Sequence, residues 1–386
     1  MRICLFDGPF RGDLLPLVYT RPVADLRIGA LTLSSRWETL TGLIPTIETV
    51  DYLQAVTPEF DVAVLAGCMP TKELVQAIKQ LVAGQKLMYN DTLIAFKGAT
   101  SSSNPSINNF KTIPFTDSLT LIRYPWDLFS HNAEAIQDDA SFFINTHTNS
   151  LHGSNQQFGR HPFLIGQNVT AFAATFNTQE GPIILDDGAT VMEGALLRGP
   201  LYVGKNATIK MGTKIYGGTS LGPNTKVGGE LNNVVFLGNS NKGHDGFLGN
   251  AVVGEWCNLG AATDASNLKN DYGMVRAWNY TQQKFISTGL QFCGPIIGDH
   301  SQTAIQTALN TATIIGVGCN IFSTGFPRTF IPSFSRGGAQ GLIENRLDKV
   351  LETARITMER RGNDLNVEKK AILNAVFEIS KPNRKF

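Results

Sequence analysis

The chain has 386 residues, 42% of them hydrophobic and 17% charged, with 33 Lys and Arg against 32 Asp and Glu. That length predicts two or three structural units, and the balanced charge, without a basic block interleaved with aromatics, excludes nucleic acid as a partner. No apolar run approaches the ~18 residues of a bilayer span. An acid at Asp7 followed by Gly8-Pro9 interrupts any signal-peptide core, so no membrane partner and a cytoplasmic location are expected. The five cysteines, Cys4, Cys68, Cys257, Cys293 and Cys319, are odd in number, scattered and never in a CxxC pair, which predicts buried free thiols and no zinc site.

In chain order, RICLFD predicts a strand, PTKELVQAIKQLVAG an amphipathic helix stopped by glycine, and KLMYND with TLIAFKG two strands around a turn. Alternation of this kind predicts an α/β layer domain over 1–145. A polar stretch, NTHTNSLHGSNQQFG, reads as a linker over 146–160.

From 161 to 330 the grammar changes. Aliphatic residues recur six apart at Leu185, Val191, Leu197, Val203, Ile209, Ile215, Leu221 and Val227. The position four after each is mostly small, as in Ala189, Ala195, Ala207, Thr213, Thr219 and Thr225, and glycine follows several aliphatics, as in Val203-Gly204 and Leu221-Gly222. The phase is visible at Ile165 and returns at Val253, Leu259, Ile297 and Ile315. Hexapeptide repeats of this kind predict a triangular parallel β-helix, an all-β coil whose rungs bury aliphatics inward only when stacked. Glycine is expected to supply backbone freedom at the corners. Two interruptions, 229–250 and 264–292, read as loops leaving the scaffold, where chemistry tends to sit. Over 338–386, Leu342, Ile343, Leu347, Val350, Leu351, Ala354 and Met358 form one apolar helical stripe. Val367, Ala371, Ile372, Val376 and Ile379 form a second. These C-terminal helices dock on their own subunit or help oligomerisation.

Of six histidines, His244 alone lies in a dense polar stretch, with Asn239, Asn241, Lys242 and Asn250. A histidine on a rigid frame suits acyl transfer to an amine, which needs a base titrating near neutrality.

Lys242-Gly243-His244-Asp245-Gly246-Phe247-Leu248-Gly249-Asn250 resembles the Lys-Ala-x-His stretch running on to Leu-Gly-Asp in the two-domain bacterial enzymes that make UDP-N-acetylglucosamine. Those enzymes join a sugar-1-phosphate nucleotidyltransferase to a hexapeptide-repeat acetyltransferase. The resemblance implies a left-handed coil, His244 as the general base, and acetyl-CoA as co-substrate. It also implies an amino-sugar phosphate or nucleotide sugar as acceptor, and a homotrimer. Lys242 and Asn250 are carried over as substrate or acyl-CoA contacts from the same stretch. Asn267, in Ala265-Ser266-Asn267-Leu268, is similar to an asparagine binding donor and sugar, with Leu268 where the family has tyrosine. Arg198 is similar to a phosphate-binding arginine.

In the N-terminal domain, Arg11-Gly12-Asp13-Leu14-Leu15-Pro16-Leu17 with Thr20-Arg21-Pro22 is similar to the nucleotidyltransferase signature, implying nucleotide-binding roles for Arg11 and Arg21. Val23 and Ala30 stand where lysines are expected. Cys68, in Leu65-Ala66-Gly67-Cys68-Met69-Pro70, replaces the magnesium-binding aspartate. Magnesium prefers oxygen ligands, so it is implied only if this domain is active, with Asp7, Asp25 or Asp91 as compensating acids. Tyr124-Pro125-Trp126-Asp127-Leu128 with Asn132 is similar to the segment closing that domain. Three readings remain open: an acyltransferase at His244, a sugar-1-phosphate nucleotidyltransferase using UTP or dTTP, and a non-catalytic sugar-nucleotide scaffold.

Overall fold

A computed structural model describes residues 1–54, 58–98, 101–102 and 104–386. Contacts divide it into two units, one of 1–26 with 31–124 and one of 27–30 with 125–386.

In the first unit, the apolar runs of RICLFD and DVAVLAG form the fully buried strands Ile3–Phe6 and Val62–Leu65. They lie in a six-stranded sheet ordered Thr46–Glu48, Ile3–Phe6, Val62–Leu65, Thr92–Lys97, Gln85–Tyr89, Lys111–Pro114. The first three strands are parallel, and Thr92–Lys97 runs antiparallel to its neighbours. Helix α1 (Leu33–Thr41) is capped by Thr32, and helix α2 (Lys72–Gln80) by Thr71, whose hydroxyl accepts from Leu74 N at 3.1 Å. Leu74, Val75 and Ile78 are the buried face of α2, as its periodicity predicts.

The second unit opens with helices α3 (Pro125–Ser130) and α4 (Asn132–Phe143). By contact, α3 and α4 therefore group with the coil, and the contact division falls at Tyr124. Both helices pack on strands of the coil, and the Asn132 amide donates to Gly218 O at 2.7 Å. The expected linker also differs: Gln156–Gly159 pairs in parallel with Thr175–Thr178, and Thr148 bridges Ile165, so polar residues there complete the first rung.

Beyond this rung the chain winds into a parallel β-solenoid of about ten turns. Leu201 pairs with Thr219 and Ile296 with Ile314, a rung of 18 residues or three hexapeptides. All eight aliphatics of the repeat are 2% exposed or less. Fully burying each such side chain stabilises the coil by about 1.5–3 kcal/mol. Glycine supplies corner freedom at positions such as Gly212, but the glycine directly after the aliphatic has another role. A Cβ at Gly204 would stand 2.6 Å from the Leu221 carbonyl, so glycine directly after the aliphatic admits the next rung's backbone. Left-handed backbone falls two residues later, at Asn206 (φ 54°) and its counterpart Gly212 (φ 68°).

The first interruption is not a loop. Ser220 pairs with Val235, 15 residues on, and Val235 with Val252, 17 on. The rungs are shortened, and the chain stays in the coil as the nine-residue strands Glu230–Gly238 and Phe247–Glu255. The second is an excursion: Val253 pairs with Ile297, 44 residues on, and the extra length carries an antiparallel hairpin of Arg276–Asn279 with Lys284–Ser287.

Leu342 and Ile343 are not helical. Gly341–Glu344 is a strand running antiparallel to Ser335–Gly338. Helix α5 (Leu347–Glu359) follows, burying Val350, Ala354 and Met358, and then α6 (Val367–Ile379). The second stripe is displaced from its expected phase, because Leu373 and Val376 are buried while Val367 and Ile379 are exposed. No helix among the described residues is long and apolar enough to cross a membrane. All five cysteines are free and buried.

Candidate functional site

Each unit carries its own candidate site. In the first, Arg11 and Arg21 fold inward. Arg11 ion-pairs with buried Asp7 at 2.6 Å and donates to the carbonyls of Val18 and Arg21. Asp7 also accepts from Val23 N at 2.7 Å and from the Thr49 hydroxyl. Arg21 is 8% exposed. In this arrangement the Arg11 guanidinium is occupied in holding the segment that contains the signature, and Arg21 is buried with it. Cys68 is fully buried and bridges Leu121, and burial pushes its thiol far up, so it offers no ligand to magnesium.

A cavity of about 700 Å³ nevertheless opens beside the carboxyl end of the Ile3–Phe6 strand, lined among others by Gly8, Phe10, Lys86, Asp91, Thr92 and Arg123. Of the three compensating acids, only Asp91 lines it. Arg123 lies over the Phe10 ring at 4.8 Å and reaches the Thr92 hydroxyl at 3.3 Å. Lys86 donates to the Asn108 carbonyl at 3.1 Å. One carboxylate fits a magnesium ion brought by a nucleotide's phosphates, since such ions take one or two protein carboxylates. Lys86 and Arg123, which line this cavity, were not singled out in the sequence. Arg123 directly precedes the Tyr124-Pro125-Trp126 motif, which was the available signal.

In the second unit, Lys242 and His244 alternate between inside and outside. Lys242 ends the short strand Asn241–Lys242 with its side chain in the coil, 1% exposed. Its ammonium donates to the carbonyls of Gly228 (3.1 Å), His244 (3.0 Å) and Gly246 (2.7 Å). Three donors meet three acceptors, so the substrate-contact assignment is corrected: Lys242 has none left for a ligand. It is a strut inside the corner. Burial pulls it down to about 8, opposed by Asp264 and Asp245.

His244 stands on that corner, exposed, and its side chain has no hydrogen-bond partner among those described. The corner is fixed from the next rung as well: Ala262 N donates to Asp245 O at 2.9 Å, and Phe247 N to the Asp264 carboxylate at 2.7 Å. Asn250 and Asn267 are brought together, the Asn267 amide donating to Asn250 Oδ1 at 2.8 Å. Asn250 Nδ2 and Asn267 Oδ1 stay outside that bond. Arg198 is not brought to this pair. Leu197, Ile215, Leu231 and Leu248 form one column, which places Arg198 three strands, roughly 14 Å, from Gly249. Its guanidinium pairs with exposed Glu180 at 3.0 Å, beside Leu196 and Tyr216.

Comparison with known proteins decides what the first unit resembles. Residues 3–148 match the family described as sugar nucleotidyl transferase. The sugar nucleotidyl transferase match runs past the contact boundary at Tyr124 and takes in α3 and α4. A curated relative, the bifunctional protein GlmU of Methanococcus aeolicus, is 28% identical over 211 residues, 54% of this chain and 44% of its own length. The matched part thus spans less than half of that relative. Solved structures similar to the chain include an Arabidopsis UDP-N-acetylglucosamine acyltransferase, 13% identical, covering 55% of this chain and 80% of that one, with a TM-score of 0.26. Another is the polySia-specific acetyltransferase NeuO, 12% identical, covering 54% and 94%, with a TM-score of 0.29. The likeness to the two-domain bacterial family read from the motifs is shared by the family and relative matches.

Proposed function

We propose that the chain is a sugar-phosphate transferase that moves an acyl group, acetyl first among the candidates, from acyl-CoA to the amine of an amino-sugar phosphate or nucleotide sugar. His244 is the base. The observation that carries this reading is an exposed imidazole on a coil corner whose backbone is pinned by the buried ammonium of Lys242. A general base works best when its position is set by a rigid frame and its proton affinity lies near neutrality, which an imidazole ordinarily supplies. The imidazole takes a proton from the acceptor's amino group as the nitrogen attacks the thioester carbonyl carbon. The new C–N bond forms, the C–S bond breaks, and the thiolate leaves to be protonated. Asn250 and Asn267, already joined, present their remaining amide groups to substrate. A homotrimer belongs to the same reading, supported by the apolar patch of Leu196 and Tyr216 beside Arg198. So does a cytoplasmic location.

A second reading, sugar-1-phosphate nucleotidyl transfer with UTP or dTTP, is supported by the family match over 3–148 and by the cavity holding Lys86, Asp91 and Arg123. In that cavity the two cations would face phosphates, and Asp91 would take the nucleotide's magnesium.

The test is free-thiol release by wild-type and His244→Ala protein given acetyl-CoA and a panel of amino-sugar phosphates. Wild-type turnover that falls at least ~100-fold in the variant, with folding unchanged, supports the reading. An absence of wild-type turnover with every acceptor overturns acyl transfer and moves the assay to pyrophosphate release from UTP or dTTP.

A further inference from the structure

His147, Asp186 and Asp187 meet where the segment after α4 joins the coil, within the second unit. His147 and Asp186 are buried, Asp187 is half-buried, and one ligand-capable atom from each lies within 4.8 Å of the others. His147 Nε2 stands 3.3 Å from Asp186 Oδ1. A charge-assisted N–H···O bond would settle at about 2.7–2.9 Å. Two ligands bound at ~2.0–2.2 Å in a tetrahedron stand about 3.4 Å apart, close to the separation of this pair, and the half-buried Asp187 would close the remaining distance on binding.

The surroundings are those of an oriented ligand set. The Thr146 hydroxyl is 3.0 Å from His147 Nδ1, leaving Nε2 turned to the carboxylates, and the Phe143 ring meets the imidazole edge-on at 4.8 Å. Tyr202 OH donates to Asp186 Oδ2 at 2.8 Å, and Asp187 N donates to Asp186 Oδ1 at 2.8 Å. Gln167 N donates to Asp187 Oδ1 at 2.8 Å, and Lys205 Nζ is 3.7 Å from Asp187 Oδ2. Hydrogen bonds to each ligand group fix its rotamer, as in natural metal sites, with Tyr202 on the Asp186 oxygen turned away from His147 and Asp187 N on the one that faces it. A Cβ at Gly166 would lie 2.7 Å from Asp187 Oδ1 and 2.8 Å from Asp187 N, so glycine there admits both the carboxylate and the backbone that carries it.

We propose that His147, Asp186 and Asp187 form a divalent transition-metal site, taking an ion of the zinc or manganese class, with one face open to solvent. One nitrogen and two carboxylates suit such ions. The ion would pin the segment after α4 to the coil corner at 186–187, where Ile165 N already donates to His147 O at 3.1 Å. The site is independent of His244 and of the transferase reading.

The full-length protein, stripped with chelator, is titrated with Zn²⁺ by calorimetry and with Co²⁺ by visible absorption. One ion per chain, with the intense ligand-field bands of a four-coordinate Co²⁺ site, is expected. Asp187→Asn, at a half-exposed position, weakens Zn²⁺ binding at least tenfold, and Tyr202→Phe weakens it by about 10–100-fold. The variant of the exposed neighbour, His152→Ala, leaves it unchanged. Zn²⁺ raises the Tm of the wild type and not that of Asp187→Asn. Binding below one ion per chain, or equal binding by Asp187→Asn, overturns the proposal and leaves a closed His–Asp–Tyr hydrogen-bond network. His147→Gln adds a second check where it folds.

Discussion

Lys242 and His244 are two residues apart in one motif, and their side chains go opposite ways. The motif made both visible in the sequence, but the direction of each side chain came only with the corner's hydrogen bonds. Arg11 and Arg21 were equally visible and equally unreadable, because an arginine serving its own backbone looks the same in sequence as one waiting for a phosphate. The burial of Lys242 has a pH consequence. Its folded pKa of about 8 lies below its ordinary 10.5. Below pH 8 it is charged whether folded or not, and the burial penalty stands in full. Between about 8 and 10.5 the unfolded chain keeps a proton that the folded chain has released, so stability rises with pH, by at most about 3 kcal/mol. Urea midpoints at about pH 7 and pH 10 should show this rise in the wild type and lose it in Lys242→Met.

At the scale of elements, the hexapeptide phase was fully legible, since each inward aliphatic is fixed by one repeating geometry. The interruptions were not. A lost corner and a true loop both break the phase, and only strand pairing tells the 15- and 17-residue rungs from the excursion after them. The run Leu342-Ile343 was misassigned for a related reason: two apolar residues fit a strand and a helix alike until their partners are known. The close approach of rungs gives a direct test. A Cβ at Gly222 would overlap the Leu237 carbonyl oxygen, so Gly222→Ala should lower stability by about 2 kcal/mol, measured by denaturant unfolding.

For the whole molecule, composition was enough for a two-part chain, whereas the boundary at Tyr124 depended on which side α3 and α4 pack. An open coil also has an end. Its last rung would present unpaired backbone to other chains, and here Gly341–Glu344 turns back antiparallel on Ser335–Gly338. The C-terminal helices then cover that end: Phe377 of α6 meets buried Phe334 at 5.0 Å, and Arg384 lies over Phe377 at 4.3 Å. Removing residues 347–386 should therefore expose Phe334 and produce concentration-dependent aggregation, read by light scattering.

The excursion between Asn267 and Cys293 leaves the coil's register untouched. All three sides of that turn pair across the same 44 residues, Val253 with Ile297, Leu259 with Thr303 and Ala265 with Leu309, and the following rung returns to 18. Cys293 N donates to Asn267 O at 2.8 Å, closing the stem as neighbours in the rung would. The hairpin is a parenthesis in the coil's sentence. Its length can change by insertion or deletion at the turn while every rung on either side keeps its phase, but Trp278, stacked on Phe330 of the coil at 4.4 Å, ties the hairpin's base in place.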